Sequence, residues 1–441
     1  MKYSSISDKL IYFLYDTLLF LVSPFLVGYH LYRSLLRSRP VALAERFGFL
    51  NRCDLAKIVG HDSIWVHAVS VGETIAVKSL LKSLKERFPE KKIVLSNVTE
   101  TGRSVAAKLE DVDLCIYFPF DYGFAVKKAF QAISPCCIIL METEIWPNFL
   151  RFANLGDIPV ILVNGRISDR SFKRYLQFKC LFRHFLANIS AFCMQTGEDA
   201  RRIIAMGAQS STVTCSGNLK YDIAVPPVTA EYCRERKEAY HIPQDVSVLT
   251  VGSTHQGEEE TLVAAYKTLV AESRSLFLVL VPRHPERAAS VAELLRREGL
   301  SYTLRSELDK KRSLFQSGEV LLVDSVGELM QFYALSDLVF VGGSLVPVGG
   351  HNILEPASLC KPVLFGPHMS NFREITSLIL EFGGGLQVAD TRQLESSMRL
   401  LLDDSEQRIG IGKKGARLLE ENCGSTERHM EIISSFIKKP R

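Results

Sequence analysis

The chain has 441 residues, 47% of them hydrophobic and 23% charged, with a formal net charge of +4. That length suits two cores rather than one, and the composition excludes a disordered or fibrous chain. The basic excess is too slight to mark a nucleic-acid binder, and no nucleic-acid partner is expected.

The first element is an apolar run from Leu10 to Tyr32, interrupted by Asp16 and Pro24 and followed by Arg33, Arg37 and Arg39. No small-residue cleavage site follows, which argues against a signal peptide. The run is close to the roughly 20 residues that span a bilayer, but Asp16 is costly at mid-membrane. A helix lying in the inner leaflet, with the arginines on anionic headgroups, fits better; a buried helix of the body is the alternative.

From Ile64 the pattern becomes regular. Apolar runs of four to six residues recur at 64–69, 92–96, 114–118, 136–141 and 159–164, with amphipathic stretches such as "ETIAVKSLLKSLKERF" between most of them. Strands apolar on both faces that alternate with helices predict a parallel sheet covered on both sides. The pattern pauses at 221–232, where Pro226 and Pro227 read as a linker. It restarts at 247–253, 276–282, 319–324, 337–343 and 362–366. The expected architecture is α/β: two doubly wound Rossmann-like domains facing a cleft. The boundaries are 1–39 for the membrane-associated segment, 40–225 for the first domain and 226–441 for the second, whose C-terminal helix can pack back on the first.

In such sheets ligands bind beyond the C-terminal strand ends. Polar residues gather there in both halves: Ser70, Gly72 and Glu73; Glu142, Thr143 and Glu144; Arg166 and Ser168; Ser253, Thr254 and His255; Arg283 and His284; Gly327 and Glu328. Ser70, Ser168 and Thr254 also read as helix N-caps, and His67 reads as a hydrogen-bonded core histidine. Glu258, Glu259 and Glu260 read as a solvated first helical turn. The ten cysteines are scattered, with no C-x-x-C, so no disulfide framework or zinc site is expected and the compartment is expected to be reducing. A P-loop, a G-x-G-x-x-G turn opening either half, a G-x-S-x-G elbow and an H-E-x-x-H pair are all missing. Neither a metal nor any other cofactor is expected.

What remains suits a two-domain transferase that uses a sugar nucleotide. Arg283 follows a strand, placed for a phosphate or base carbonyl. Gly342, Gly343, Gly349 and Gly350 are expected to let backbone approach the ligand and donate N–H groups to phosphate, with Ser344 beside them. Glu355 opens a helix and can accept from two ribose hydroxyls.

The motifs "ERFGF" (45–49), "WVHAVSVGE" (65–73), "ETEIWPN" (142–148), "SGNLKYD" (216–222), "VPRHPER" (281–287) and "GGSLVPVGGHNILEP" (342–356) resemble those of bacterial 3-deoxy-D-manno-octulosonic acid (Kdo) transferases. The likeness spans nearly the whole chain. It implies the glycosyltransferase B fold, CMP-Kdo as donor and the lipid A precursor lipid IVA as acceptor. It also implies inversion at the anomeric carbon and a single N-terminal anchor on the cytoplasmic face of the inner membrane, in contact with membrane lipids. By motif, Glu45 matches the general base, and Glu142 and Lys220 match transition-state stabilisers. Pro282 and Arg283, Val326, Gly327, Glu328 and Leu329, and Asn352, Ile353, Leu354 and Glu355 match the CMP contacts. Which of Glu142 and Glu144 faces the chemistry stays open. An epimerase of the same architecture is the enzyme alternative.

Overall fold

The computed structural model describes residues 6–37, 42–223, 228–272, 274–310 and 313–437. Arg39, Pro226 and Pro227 lie outside them, as do the side chains of Arg33 and Arg37. The chain divides into two compact units, residues 1–222 with 423–441, and residues 223–422.

The first unit holds seven strands: β1 Ser63–His67, β2 Lys92–Asn97, β3 Leu114–Tyr117, β4 Pro135–Met141, β5 Val160–Gly165, β6 Ala191–Met194 and β7 Val213–Cys215. Their order is β3-β2-β1-β4-β5-β6-β7, and all pairs are parallel, with Trp65 opposite Val94 on one side and Ile138 on the other. Every residue of β1 and β5 is buried. That is why these strands read as unbroken apolar runs rather than alternating ones. One core layer is built around Trp65, Phe149 and Phe192, the other around Ile64, Val66 and Leu80. The helix Ser425–Phe436 adds Met430 and Ile433 to the second layer.

The second unit repeats the plan with β8 Ser247–Thr254, β9 Leu276–Pro282, β10 Tyr302–Leu304, β11 Val320–Leu322, β12 Leu338–Val341, β13 Val363–Phe365 and β14 Gly385–Gln387. Their order is β10-β11-β9-β8-β12-β13-β14, again all parallel. In each sheet the winding reverses once, between β1 and β4 and between β8 and β12. In open α/β sheets ligands bind beyond the C-terminal strand ends at such a reversal. The ten strands expected from the apolar runs are all present. The four not anticipated, β6, β7, β10 and β14, are three or four residues long.

The N-terminal helix Ile6–Arg37 runs unbroken through Pro24. One face docks on the first unit. Tyr12 is 3% exposed and belongs to the core around Trp65. Tyr15 donates to Asp121 at 2.9 Å, and Asp16 accepts from the Asn148 amide at 2.6 Å. Asp16 is thus a docking group, which explains a charge within an apolar run. The opposite face leaves Leu10, Phe13, Leu14, Leu18, Phe20, Leu21 and Phe25 exposed, each by more than half. No helix among the described residues is long and apolar enough to cross a membrane.

Candidate active site

In the first unit the chemistry-bearing residues gather at the ends of β1, β3, β4 and β5. Ser70 caps the helix Val71–Ala76, donating to Glu73 Oε1 at 3.0 Å, while the Val69 N–H donates to Glu73 Oε2 at 2.8 Å. The pair is a reciprocal capping box that satisfies the first turn's free N–H groups. It also holds Glu73 at 8% exposure. Burial, with the charges of Glu142 and Glu144 adding to it, pushes the Glu73 carboxyl up to about 7. Three carboxylates therefore share one neighbourhood at the β1–β4 reversal. Burial also raises Glu144, with the Glu142 charge contributing.

Glu142 follows β4 with φ of 55°, in the left-handed region that a side chain with a Cβ seldom adopts. Its N–H still donates to Val163 O at 2.9 Å. The strand thus turns sharply at Glu142, and the hydroxyl of Thr143 donates to the Arg166 carbonyl to fix the turn. The charges of both Glu142 and Glu144 act on Glu73. Gly72 is in the first turn of the capped helix, and Arg166 is exposed just beyond β5.

Asn164 has φ of 54° and is fully buried. Its Oδ1 accepts from Leu219 N at 3.0 Å, and its N–H donates to His429 Nε2 at 3.1 Å. The short turn Leu219–Tyr221, which carries Lys220, is thereby pinned to β5 and to the C-terminal helix. Asp222 accepts from Gly424 N at 2.8 Å and closes the same junction.

Glu45 lies in the short helix Leu43–Arg46. Arg103 Nη1 donates to both of its oxygens, at 2.7 and 2.6 Å, and the Tyr117 N–H at the end of β3 donates at 2.7 Å. Arg103, which no sequence signal singled out, is its partner. To take a proton from a substrate, Glu45 must give up one of these bonds. Gly48 is required here: a Cβ would lie 2.4 Å from Ala125 O, and its φ is 83°. Glu45 lines a pocket of about 200 Å³ with Phe49, Leu50 and Asn51. His67 is fully buried, 3.0 Å from Ser96 Oγ, with burial pulling it down to about 3. It belongs to the core.

In the second unit three expectations are corrected. Glu258 and Glu259 are not solvated. They are 0% and 2% exposed. Glu258 accepts from Gly343 N at 2.6 Å, His255 N at 2.8 Å and Leu345 N at 3.3 Å. Glu259 pairs with Arg287 at 2.5 Å and accepts from Thr254 Oγ1 at 3.0 Å. Thr254 is therefore no helix cap. Secondly, three of the four glycine N–H groups are not kept for a ligand. Gly343 donates to Glu258, Gly342 to Gly252 O and Gly350 to Gly343 O. These glycines serve packing, since a Cβ on Gly342 would lie 2.6 Å from Ser253 O. Thirdly, Ser344 is fully buried and spends its hydroxyl on Val341 O and Gly366 N. Thr254 and Ser344 are framework residues.

Other groups form the site at the β8–β12 reversal. Arg283 is exposed after β9, its N–H donating to Thr254 O at 3.0 Å. His255 and His351 meet with Nε2 atoms 2.9 Å apart. His351 stood within a quoted motif but was not singled out. Ser253 bends the end of β8 with φ of 58°. Asn352 accepts from Leu354 N at 3.1 Å and donates to Glu355 Oε1 at 3.3 Å, orienting that carboxylate at the start of the helix Leu354–Ser358. Ile353 and Leu354 are fully buried anchors. In the loop after β11, Val326 is exposed. Glu328 is bound to Arg305 at 3.0 Å, to Tyr240 and to Ser325, so it braces that loop. No group of three His, Cys, Asp or Glu that could hold a metal occurs among the described residues.

Two parallel seven-stranded sheets, each with one reversal of strand order, define a two-unit α/β fold. A UDP-GlcNAc 2-epimerase from Neisseria meningitidis covers 85% of this chain and 100% of its own, with a TM-score of 0.55 and 14% identity. A glycosyltransferase from Rickettsia africae gives 0.51 at 14% identity, covering 86% and 100%. These likenesses establish the fold. The family follows from sequence. The model for 3-deoxy-D-manno-octulosonic acid transferases matches residues 42–223. The 3-deoxy-D-manno-octulosonic acid transferase of Haemophilus influenzae is 35% identical over 90% of this chain and 92% of its own. That of Chlamydophila psittaci is 30% identical over 97% of each. The chain belongs to the 3-deoxy-D-manno-octulosonic acid transferase family and is a glycosyltransferase.

Proposed function

We propose that the enzyme moves Kdo from CMP-Kdo to lipid IVA with inversion, at the cytoplasmic face of the inner membrane, without a metal or other cofactor. The observation that carries the donor half is the group at the β8–β12 reversal: Arg283 with the paired His255 and His351, followed along the chain by Glu355, which Asn352 orients. Arg283 suits the phosphate, and a bidentate carboxylate suits the ribose hydroxyls. The main chain of residues 326–329 would border the base.

The first unit supplies the acceptor chemistry. Glu45 is the general base and takes the proton of the attacking hydroxyl once Arg103 yields one oxygen. Positive charge builds on the sugar as its bond to phosphate lengthens, and Glu142 can stabilise it. Lys220 offsets the negative charge that develops on CMP.

The exposed apolar face of the N-terminal helix supports attachment in the plane of the interface rather than across the bilayer. A lipid acceptor and a lipid-bound enzyme then meet in two dimensions. The test is CMP release with and without lipid IVA, followed by mass spectrometry of the lipid. Acceptor-dependent release with a Kdo mass increment is the expected result. Release that ignores the acceptor overturns the reading.

A further inference from the structure

His255 follows β8 and His351 lies in the loop after β12, so the reversal of strand order brings them together. Their rings are nearly coplanar, 9° apart, with Nε2 atoms at 2.9 Å. At that distance one nitrogen carries a hydrogen and the other a lone pair, so the neutral pair shares a single proton. Every charged or titratable group around the pair can be assigned. Glu258 is spent on three backbone N–H groups, and Glu259 on Arg287. His284 stands edge-on to His255 at 6.0 Å. Arg283 is the remaining cation, and no carboxylate among the described residues pairs with it. The charges that act on the pair among the described residues are those of Arg283, Arg287 and His284, all basic.

We propose that the His255–His351 pair, completed by Arg283, forms a proton-linked seat for a phosphate monoester, and that seating the phosphate draws one proton from solvent onto the pair. The inference rests on the donor-site reading above and adds to it a change in protonation. Burial, then the charge of Arg283, holds His351 down to about 4, and burial holds His255 below its usual value. A phosphate dianion in contact reverses that balance, because an opposite charge nearby raises a pKa by about 1–3 units. During transfer the bond from anomeric carbon to phosphate oxygen breaks and its electron pair stays on that oxygen. CMP thus passes from a phosphodiester monoanion to a monoester dianion. The acceptor oxygen forms the new bond and loses its proton to the carboxylate base. The proton on the pair hydrogen-bonds the departing oxygen and returns to solvent when CMP leaves.

The experiment is calorimetric titration of the full chain with CMP at pH 7, in buffers of different ionisation enthalpy. The slope of binding heat against that enthalpy counts protons taken up. Uptake of up to about half a proton per CMP is expected for the wild type, as a pKa near 4 rises by about 1–3 units. His255→Asn and His351→Asn should each bring uptake close to zero, while His284→Asn retains it. Cytidine, which lacks the phosphate, should bind without uptake. CMP binding with no uptake in the wild type overturns the inference and leaves the donor site standing. Uptake that survives both substitutions in folded variants also overturns it, since the proton then lies elsewhere. A wild type that fails to bind CMP sinks the donor-site reading itself.

Discussion

Glu73 is a carboxylate whose burial should be readable as a pH-dependent stability. It is 8% exposed, and burial together with Glu142 and Glu144 lifts it to about 7 from an ordinary 4.5. The folded state then binds more protons than the unfolded state between pH 4.5 and 7. Its stabilising contribution is complete below 4.5 and is lost as pH rises through 7. At about 1.4 kcal/mol per unit, the cost of ionising Glu73 in the fold reaches about 3 kcal/mol at pH 8. Glu73→Gln removes the charge and keeps the shape. Its carbonyl can still accept from Val69 N–H, and its amide can donate to Ser70 Oγ, reversing that bond. The variant should therefore be more stable than the wild type at pH 8, by up to about 3 kcal/mol, and nearly equal to it at pH 4. Asp121, buried and also raised to about 7, titrates in the same window in both proteins and cancels in the difference. The assay is urea unfolding followed by tryptophan fluorescence. Trp65 and Trp146 are the only tryptophans and both lie in the first unit, so the signal reports that unit alone. A variant that is destabilised equally at both pH values would show that the hydrogen bonds outweigh the charge and would refute the argument.

Glu45→Gln should lower transfer by about 10²–10⁴-fold and leave CMP affinity unchanged; turnover near the wild-type rate would remove Glu45 as the base. Glu355→Gln should weaken CMP binding by about 1.5–3 kcal/mol, and unchanged affinity by calorimetry would exclude the ribose contact. Replacing Phe13, Leu14, Leu18 and Leu21 with serine should abolish binding to anionic vesicles without altering the melt, because these side chains are exposed. Retained vesicle binding would rule out that face as the membrane contact. Deleting residues 1–36 should do more and destabilise the first unit, since it removes Tyr12 from the core and Tyr15 from Asp121; an unchanged melt would contradict the docking.

The ten strands that were legible sit in apolar runs, because most of them are buried on both faces. The strand Gly385–Gln387, which is partly exposed and holds one apolar side chain, writes no such run. Most candidate residues were legible because strand ends in a doubly wound sheet are where polar residues can face a ligand. What a polar residue does there was not legible. Glu258 and Glu260 look alike in "GEEE", yet the first is buried under the glycine loop and the second is exposed. Only the folded chain brings Gly343 within 2.6 Å of Glu258, across 85 residues of sequence. Arg103 was invisible as the partner of Glu45 for the same reason, being 58 residues away. Asp16 read as a cost because its partner Asn148 is 132 residues distant.

The return of the C-terminal helix to the first unit has a consequence for how the protein is made. Asn164 and His429, which join β5 to that helix, are separated by 265 residues. At roughly 5–20 residues per second, a ribosome needs about 13–50 s to make that stretch. For that interval the first unit has left the ribosome without the residues that cover Asn164 and brace the turn carrying Lys220. The sheet can form early, but this corner stays open until the helix Ser425–Phe436 emerges. Stop codons that remove that helix should therefore damage the unit whose strands were synthesised first.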